Sequence, residues 1–453
     1  MSKRLGADFT TGSIPRSMLG FAVPYICASA LQVCYSTVDM VIVGHFVGSA
    51  ALSAVSISSQ IAMFFTAISI GYAGGGQVYI SQLLGKGRRD KLNEAIGTLF
   101  SVVFLMAVVL TAACLLLRRQ LLGALNTPNE SWDMAMDYLV ICGGGLVFTF
   151  GYNLFSSVLR GMGDSKNPLI FIAIATVVNT VLDLLFVGGL GWGVAGAAWA
   201  TVIGQAVSFL FAIFFLYRRK EQFGFDFRLR SFRIVKHVCL EITKLGGVLA
   251  IQTAAIYISM MYVNSLINHL GVTASAAFGV GLKINDLITQ GTFGINVACT
   301  TMIGQNFAAG NLKRVKKTLY CAWLFTGICY GIFSLFLALS PHGFFGAFTD
   351  DADVLALAPL FVRAALLSFP GFVIMRGTNG VVQGTGFALL GFFAAMLDAV
   401  VLRICLSLLF GFALHMGLAG FFLGYCLAVY GSALPQLIYF LSGKWKTRRL
   451  IVE

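Results

Sequence analysis

Twelve long apolar stretches recur along the whole chain and leave few choices of fold. They span approximately residues 17–43, 51–84, 92–117, 132–158, 166–190, 193–217, 240–267, 273–307, 315–340, 354–382, 388–413 and 417–441. Each is long enough for a helix to cross the hydrocarbon core of a bilayer, which takes about 20 residues. A transmembrane barrel would alternate apolar and polar residues at period two, and that pattern is absent. The sequence predicts an all-α polytopic membrane protein with twelve transmembrane helices.

The charge distribution predicts the orientation of these helices. The net charge is +13, yet only 11% of residues are charged, against about 25% in soluble proteins. Basic residues concentrate in alternate loops: Lys3, Arg4 and Arg16, then segments 86–91, 218–236, 313–317 and 444–449. The opposite loops hold Arg118, Arg119 and an acidic run at 350–353. This bias predicts a multi-pass protein of the plasma (inner) membrane with both termini cytoplasmic, and it argues against nucleic acid as a partner.

An internal repeat divides the chain into two halves. A shift of 223 residues aligns Gly48 with Gly271 and Gly163 with Gly386, and a shift of 224 then aligns GVAG at 193–196 with GLAG at 417–420. Six helices in each half give both halves the same orientation and predict two pseudo-symmetric six-helix bundles around a central cavity. The expected division is an N-lobe at 1–217, a cytoplasmic connector at 218–239, and a C-lobe with a cytoplasmic tail at 240–453.

Two acidic residues lie inside apolar segments of the first half. Neither Asp39 nor Asp183 has a Lys or Arg within eight positions. An ionisable group at membrane depth costs at least about 2.5 kcal/mol on insertion scales, and such groups usually face a cavity and serve transport. Asp39 shares one helix face with Gln32 and Tyr35, and Pro24 upstream permits a bend in the same helix.

Other oxygen-bearing side chains are expected beside these acids. Asn179 precedes Asp183 by one helical turn, and Thr201 follows in the next helix after a short turn. With Asp39 they would form an all-oxygen site of the kind that suits Na⁺ or H⁺. A carboxylic acid in apolar surroundings holds its proton more strongly, so one of the two acids is expected to be protonated near neutral pH. The alternative is that both acids only hydrogen-bond and join helices.

The second half carries different polar groups. Lys283 with Asp286, Asp398 with Arg403, and Arg376 are expected to be internally paired charges, the alternative being a share in substrate or ion binding. Weaker candidates for cavity lining are Gln252, Asn264, Asn285, Asn296 and Gln383. The chain has no GxSxG, HExxH or Walker motif, so it is not expected to be an enzyme or to hold a cofactor. The small residues of GYAGGGQ at 71–77 predict close helix packing.

Several motifs resemble the multidrug and toxic compound extrusion (MATE) family of secondary transporters. They are STVDMVIVGHFVG in helix 1, SQLLGKGRRDKL after helix 2, LRGMGDSKNP after helix 4, NTVLDLLFVGGLGWGVAGAAWAT across helices 5 and 6, and TTMIGQNFAAGNLKRVKK after helix 8. The resemblance covers residues 15–440. It implies an antiporter that exports amphipathic, often cationic organic compounds in exchange for H⁺ or Na⁺ by alternating access.

The resemblance also implies roles for particular residues. It assigns a cation site, with Na⁺ as a candidate ligand, to Asp39, Asn179, Asp183 and Thr201, and substrate contacts to Gln32, Tyr35 and Asn153. Where some family members have a helix-7 carboxylate, this chain has Gln252, Thr253 and Tyr257, which favours an ion site in the first half. The expected partners are the bilayer, small organic substrates and the coupling cation, with the protein acting as a monomer. An exporter or flippase of lipid-linked oligosaccharide or polysaccharide is the alternative function.

Overall fold

The protein is helical throughout its described residues. The computed structural model describes residues 6–125 and 127–452, and within those ranges it contains helices and connecting turns but no strand. Lys3 and Arg4, assigned above to the cytoplasmic side, lie outside the described residues. The all-α prediction is confirmed.

Twelve long helical elements run through the described residues, six in each half, and shorter helices lie in some of the connections. The first half holds α1 (Ile14–Phe46), α2 (Ser49–Gly85), α3 (Leu92–Leu116), α4 (Asn129–Gly144 with Leu146–Gly161), α5 (Lys166–Gly189) and α6 (Gly193–Arg218). The second holds α7 (Lys236–Asn268), α8 (Val272–Ala308), α9 (Leu312–Leu339), α10 (Ala358–Gly384), α11 (Ala388–Ala413) and α12 (Gly417–Leu441). All twelve predicted segments are present, with their ends displaced by at most a few residues.

Eleven of these elements are long and apolar enough to cross a membrane, counting the two parts of α4, bent by 47°, as one span. The exception is α8, whose polar residues lower its hydropathy. It is nevertheless 37 residues long, roughly 55 Å, and three-residue turns join it to α7 and α9. A helix of that length between two membrane helices has to cross with them.

Packing divides the chain into two compact units whose boundaries fall inside helices. The first unit comprises Met1–Ala7 and Val23–Ala250, and the second comprises Asp8–Ala22 and Ile251–Glu453. The start of α1 therefore packs with the second unit, and the start of α7 packs with the first. The unit boundary in α1 lies directly before Pro24, which is inside the helix as expected.

Close contact between α2 and α7 explains why the first part of α7 belongs to the first unit. A Cβ on Gly75 would lie 2.5 Å from the backbone nitrogen of Gly246, and a Cβ on Gly71 would lie 2.8 Å from the Cα of Ala250. Only glycine lets two backbones approach this closely. The Tyr72 hydroxyl adds a 2.7 Å hydrogen bond with Thr243. The prediction that GYAGGGQ mediates close packing is confirmed.

The connector, residues 218–239, packs against the first unit. Asn93 donates a 3.1 Å hydrogen bond to the Ser231 hydroxyl and accepts one of 3.1 Å from the Asp226 backbone. Phe223 and Phe225 are fully buried. The basic residues of the connector therefore belong to an ordered, packed segment. The sequence did not predict this packing.

An arginine of α9 fixes the N-terminal segment within the second unit. Arg314 donates hydrogen bonds to the carbonyls of Phe9, Thr11 and Gly12, at 2.9, 2.9 and 3.0 Å. Its Nε also donates to Asn306, which in turn donates to the Phe9 carbonyl. One guanidinium thus satisfies three carbonyls that have no helical partner.

Candidate functional site

Asp39 lies buried in α1 with one weak polar contact. Its side chain is 4% exposed, and its Oδ2 accepts a long hydrogen bond of 3.5 Å from the Tyr138 hydroxyl of α4. Its Oδ1 is buried and has no hydrogen-bond partner. The surrounding cluster is apolar and includes Val38 and Ile42. This carboxyl group is therefore far from the saturated hydrogen bonding that a purely structural buried acid requires.

Asn179 and Asp183 lie one turn apart near the end of the regular part of α5. Both side chains are fully buried, and none of their four terminal oxygen and nitrogen atoms makes a well-formed hydrogen bond, although the two side chains interact with each other. Directly after Asp183 the helix widens into a π-helical turn at Leu184–Gly189. Such turns are frequent at functional sites in helices. Each buried polar atom without a partner costs free energy unless a ligand satisfies it.

The neighbouring helix α6 supplies Thr201 and Gln205, one turn apart on the same face. The Thr201 hydroxyl and the Gln205 carbonyl oxygen are buried without partners. Gly204 lies between them, and a Cβ there would be 3.0 Å from the Ala175 carbonyl and 3.2 Å from the Cβ of Asn179. The missing side chain lets α6 approach α5 at the level of Asn179.

These side chains lie close enough to influence one another. Asp183 interacts with Asp39, and Tyr35 of α1 interacts with Thr201 and with both acids. The Tyr35 hydroxyl is also buried and lies near the Thr201 hydroxyl without a well-formed hydrogen bond to it. The four predicted cation-site residues and Tyr35 therefore meet in the first unit, at the packing of α1, α5 and α6. We call this set, with Tyr138 and Gln205, the first-unit polar site.

The donor set of the first-unit polar site fits a hard monovalent cation. Asp39, Asn179, Asp183 and Thr201 each offer at least one buried oxygen without a partner. Oxygen ligands suit Na⁺ and other hard ions. Among the described residues, no group of three or more His, Cys, Asp or Glu side chains is placed to hold a metal.

The residues expected to contact substrate are more dispersed. Gln32 is exposed on α1, two turns from buried Asp39. Asn153 is buried and donates a 3.5 Å hydrogen bond to Ser69, which joins α4 to α2. Gln252 belongs to the second unit, where its unpartnered Oε1 faces Gly391 of α11. Of the four, only Tyr35 lies in the first-unit polar site.

Of the charges expected to be paired in the second unit, Asp398 and Arg403 form an ion pair. Arg403 donates to Asp398 at 2.9 Å, and both side chains are buried. Asp286 interacts electrostatically with Lys283 one turn away. Arg376 donates to the Thr289 carbonyl at 3.2 Å and lies over the Phe293 ring.

Two residues of the site were missed from sequence. Tyr138 is one of 14 tyrosines, and nothing in its neighbourhood sets it apart. Gln205 was detectable, because it follows Thr201 by four residues in an apolar helix and so extends the same polar face.

The family model MatE matches this chain twice, over residues 24–185 and 249–409. The chain belongs to the MatE family. One match lies in each half of the chain, which confirms the internal repeat. The MATE family is a family of membrane transporters.

Relatives of this MATE protein cover nearly its whole length. It is 29% identical over 450 residues to the probable multidrug resistance protein YpnP of Bacillus subtilis, covering 98% of this chain and 99% of that one. An outward-facing multidrug resistance MATE family transporter of the MOP superfamily has the same fold, with a TM-score of 0.89, 20% identity and 98% coverage of both chains. A MOP superfamily transporter from Pyrococcus furiosus, described as having a binding pocket of reversed polarity that suggests a different function, matches equally well, with a TM-score of 0.89, 20% identity and 98% coverage of both.

Proposed function

We propose that this MATE protein is a cation-coupled antiporter that exports amphipathic, often cationic organic compounds by alternating access. The coupling ion is H⁺ or Na⁺, and it binds at the first-unit polar site. The observation that carries the proposal is the pair of buried acids, Asp39 and Asp183, with three of their four oxygens unpartnered. Burying a charge without a partner is costly, so the site is stable only when a proton or a cation neutralises it.

Ion binding at this site would change which conformation is favoured. A protonated carboxylic acid donates a hydrogen bond, which the carboxylate does not do, so Asp39 and Asp183 would exchange partners among Asn179, Thr201 and Tyr35. A bound Na⁺ would instead draw the same oxygens together. In either case the ion shifts the equilibrium only by its difference in affinity between the two states. The π-helical turn after Asp183 offers local freedom for that rearrangement.

The substrate class rests on relatives and on composition. The Bacillus relative is named as a probable multidrug resistance protein. The chain carries 40 Phe, 14 Tyr and 14 Met, side chains whose flat or flexible surfaces suit varied apolar cations. The concentration of basic residues in alternate loops supports a plasma-membrane protein with both termini cytoplasmic. The protein would act as a monomer.

Export or flipping of lipid-linked oligosaccharide or polysaccharide is the second candidate function. The same fold serves a transporter described as functionally different, so the fold alone does not select a substrate. Polyanionic substrates would call for unpaired basic residues, whereas Arg403 of this chain is paired with Asp398. The first-unit polar site, with two acids, favours cation exchange.

Purified protein in proteoliposomes tests the proposal. A pH gradient and a Na⁺ gradient are imposed separately, and uptake of an ethidium-like cation is followed by fluorescence. We expect one gradient to drive transport and its dissipation to stop it. Transport of a lipid-linked sugar with no response to either gradient would support the second candidate instead.

A further inference from the structure

The internal repeat places a different set of residues at the second unit's counterpart of the first-unit polar site. The shift of 224 that aligns α6 with α12 sets Thr201 on Tyr425. The same shift sets Asn179 on Arg403 and Asp183 on Ser407 in α11. Both positions are followed by a π-helical turn, Leu184–Gly189 in α5 and Leu409–Ala413 in α11. The two local structures therefore correspond, although their chemistry differs.

A second π-helical turn explains how Arg403 acquires its partner. The repeat shift is 223 up to Gly163 and Gly386 and 224 afterwards, so the second half has gained one residue. Helix α11 contains a π-helical turn at Leu397–Leu402 that has no counterpart in α5. A π-helix accommodates one extra residue and brings residues five apart onto one face. Asp398 and Arg403 are five apart, and this turn joins them.

The guanidinium of Arg403 is enclosed by an anion and an aromatic ring. Its Nη2 lies 2.9 Å from Oδ1 of Asp398, and its central carbon lies 4.9 Å from the centre of the Tyr425 ring. Tyr425 is itself held edge-on against Phe278. Arg403 and Asp398 are 9% and 5% exposed. A carboxylate together with a ring face is a binding site for a cation, and here the cation is part of the chain.

We propose that Arg403 is a tethered cation, which permanently fills the second unit's counterpart of the ion site. In the first unit this place holds two acids and no base, and therefore needs an ion. In the second, the carboxylate of Asp398 faces the guanidinium of Arg403, which never loses its proton, and the charges of this pair cancel. Asp286, the other acid that acts on Tyr425, interacts with Lys283. The second unit then needs no exchangeable ion at this place, because Arg403 already neutralises Asp398. The consequence for coupling, a single exchangeable ion site per molecule, rests on the function proposed above.

Removing the arginine should create a cation site that accepts a free guanidinium. Arg403→Ala leaves Asp398 unpaired beside a void of matching shape. The thermal midpoint of the purified protein in detergent should fall by several degrees and recover in millimolar methylguanidinium, whereas wild type should not respond. The matched control is Asp398→Asn/Arg403→Ala, which keeps the void but lacks the anion, and it should not recover. Equal responses of the single and double variants, or none from the single variant, would overturn the proposal.

A double-neutral variant tests the consequence for coupling and does not depend on Arg403→Ala folding. In Asp398→Asn/Arg403→Gln the ion pair is replaced by two neutral amides, which still hydrogen-bond to each other. We expect the number of ions exchanged per substrate in proteoliposomes to equal that of wild type, even if the rate falls. Fewer ions per substrate would contradict a permanently filled site. Absence of ion coupling in wild type would refute the proposed function while leaving the methylguanidinium result to decide on the tethered cation.

Discussion

The Tyr138 hydroxyl of α4 lies 3.5 Å from Oδ2 of Asp39 in α1, and this is the one hydrogen bond that the structure gives the Asp39 carboxyl group. In the function proposed above, the phenol competes with the coupling ion for the same oxygen. Tyr138→Phe removes that competitor while keeping the ring and its packing. We expect the ion to bind a few-fold more tightly and to leave more slowly, since one such hydrogen bond contributes about 1 kcal/mol. Ion-dependent transport rates in proteoliposomes measure this, and unchanged ion affinity would mean that the contact is only structural.

Neutral substitutions of the two acids should stop coupled transport. Asp39→Asn and Asp183→Asn keep the side-chain volume but remove the charge that the ion neutralises. We expect each variant to express, to remain folded, and to lose gradient-driven export. Asp137→Asn is the matched control, because Asp137 is an exposed acid next to Tyr138 and should transport normally. Full transport by both test variants would refute the ion-site assignment.

A methyl group at Gly204 should disturb the site without touching any of its polar atoms. The new Cβ would lie 3.0 Å from the Ala175 carbonyl and 3.2 Å from the Cβ of Asn179, so α6 would have to move away from α5. We expect Gly204→Ala to cost about 1–3 kcal/mol of stability and to weaken ion binding. Gly144→Ala, where a Cβ meets nothing within 4 Å, provides the comparison. Identical ion affinities in the two variants would argue against a role for this close approach.

Losing the Arg314 guanidinium should free the N-terminal segment. Arg314→Ala removes three hydrogen bonds to the carbonyls of Phe9, Thr11 and Gly12. Bonds from a charged donor are each worth roughly 1.5–3 kcal/mol. Hydrogen–deuterium exchange of residues 8–12 should rise sharply in this variant, whereas Lys313→Ala, an exposed neighbour, should match wild type. Protection that survives in Arg314→Ala would show that the segment is held by its apolar contacts instead.

The connector should loosen in acid. A hydrogen bond from Ser231, followed by the backbone amide and charge of Arg228, lowers the pKa of Asp226 from its ordinary value. Because the folded-state pKa is lowered, the stabilisation is present above the ordinary value of about 3.9 and is lost as the pH falls through the folded pKa. Exchange of amides 226–232 should therefore increase below about pH 4, and Asp226→Asn should abolish that pH dependence. A pH response that persists in the Asn variant would place its origin elsewhere.

The fold was largely predictable from the sequence because hydrocarbon thickness sets the length of a spanning segment. The same reasoning identified Asp39 and Asp183, since an acid at membrane depth is too costly to be incidental. Contacts between distant helices were not predictable in the same way. Nothing in the sequence around Tyr138 indicates that its hydroxyl reaches α1, and the packing of α7 onto α2 follows from the spatial meeting of Gly75 and Gly246.

Two structural features that were not predicted are nevertheless visible in the sequence. The aromatic residues in FGFDF at 223–227 are unusual for a solvated basic linker, and their burial explains why the connector is bound to the first unit. The change of the repeat shift from 223 to 224 marked an inserted residue between Gly386 and Gly417, and the π-helical turn at Leu397–Leu402 lies in that interval. Sequence alone could not tell that this insertion joins Asp398 to Arg403.

Transport by Asp183→Asn and wild type, compared in proteoliposomes under separately imposed H⁺ and Na⁺ gradients, tests the central claim most directly. Asp183 is fully buried, and neither of its carboxyl oxygens has a hydrogen-bond partner. We predict that one gradient drives export of an organic cation by wild type, about tenfold accumulation per tenfold gradient for one ion exchanged, and that the variant shows none while binding the substrate. Equal gradient-driven accumulation by both proteins would contradict ion coupling at this site.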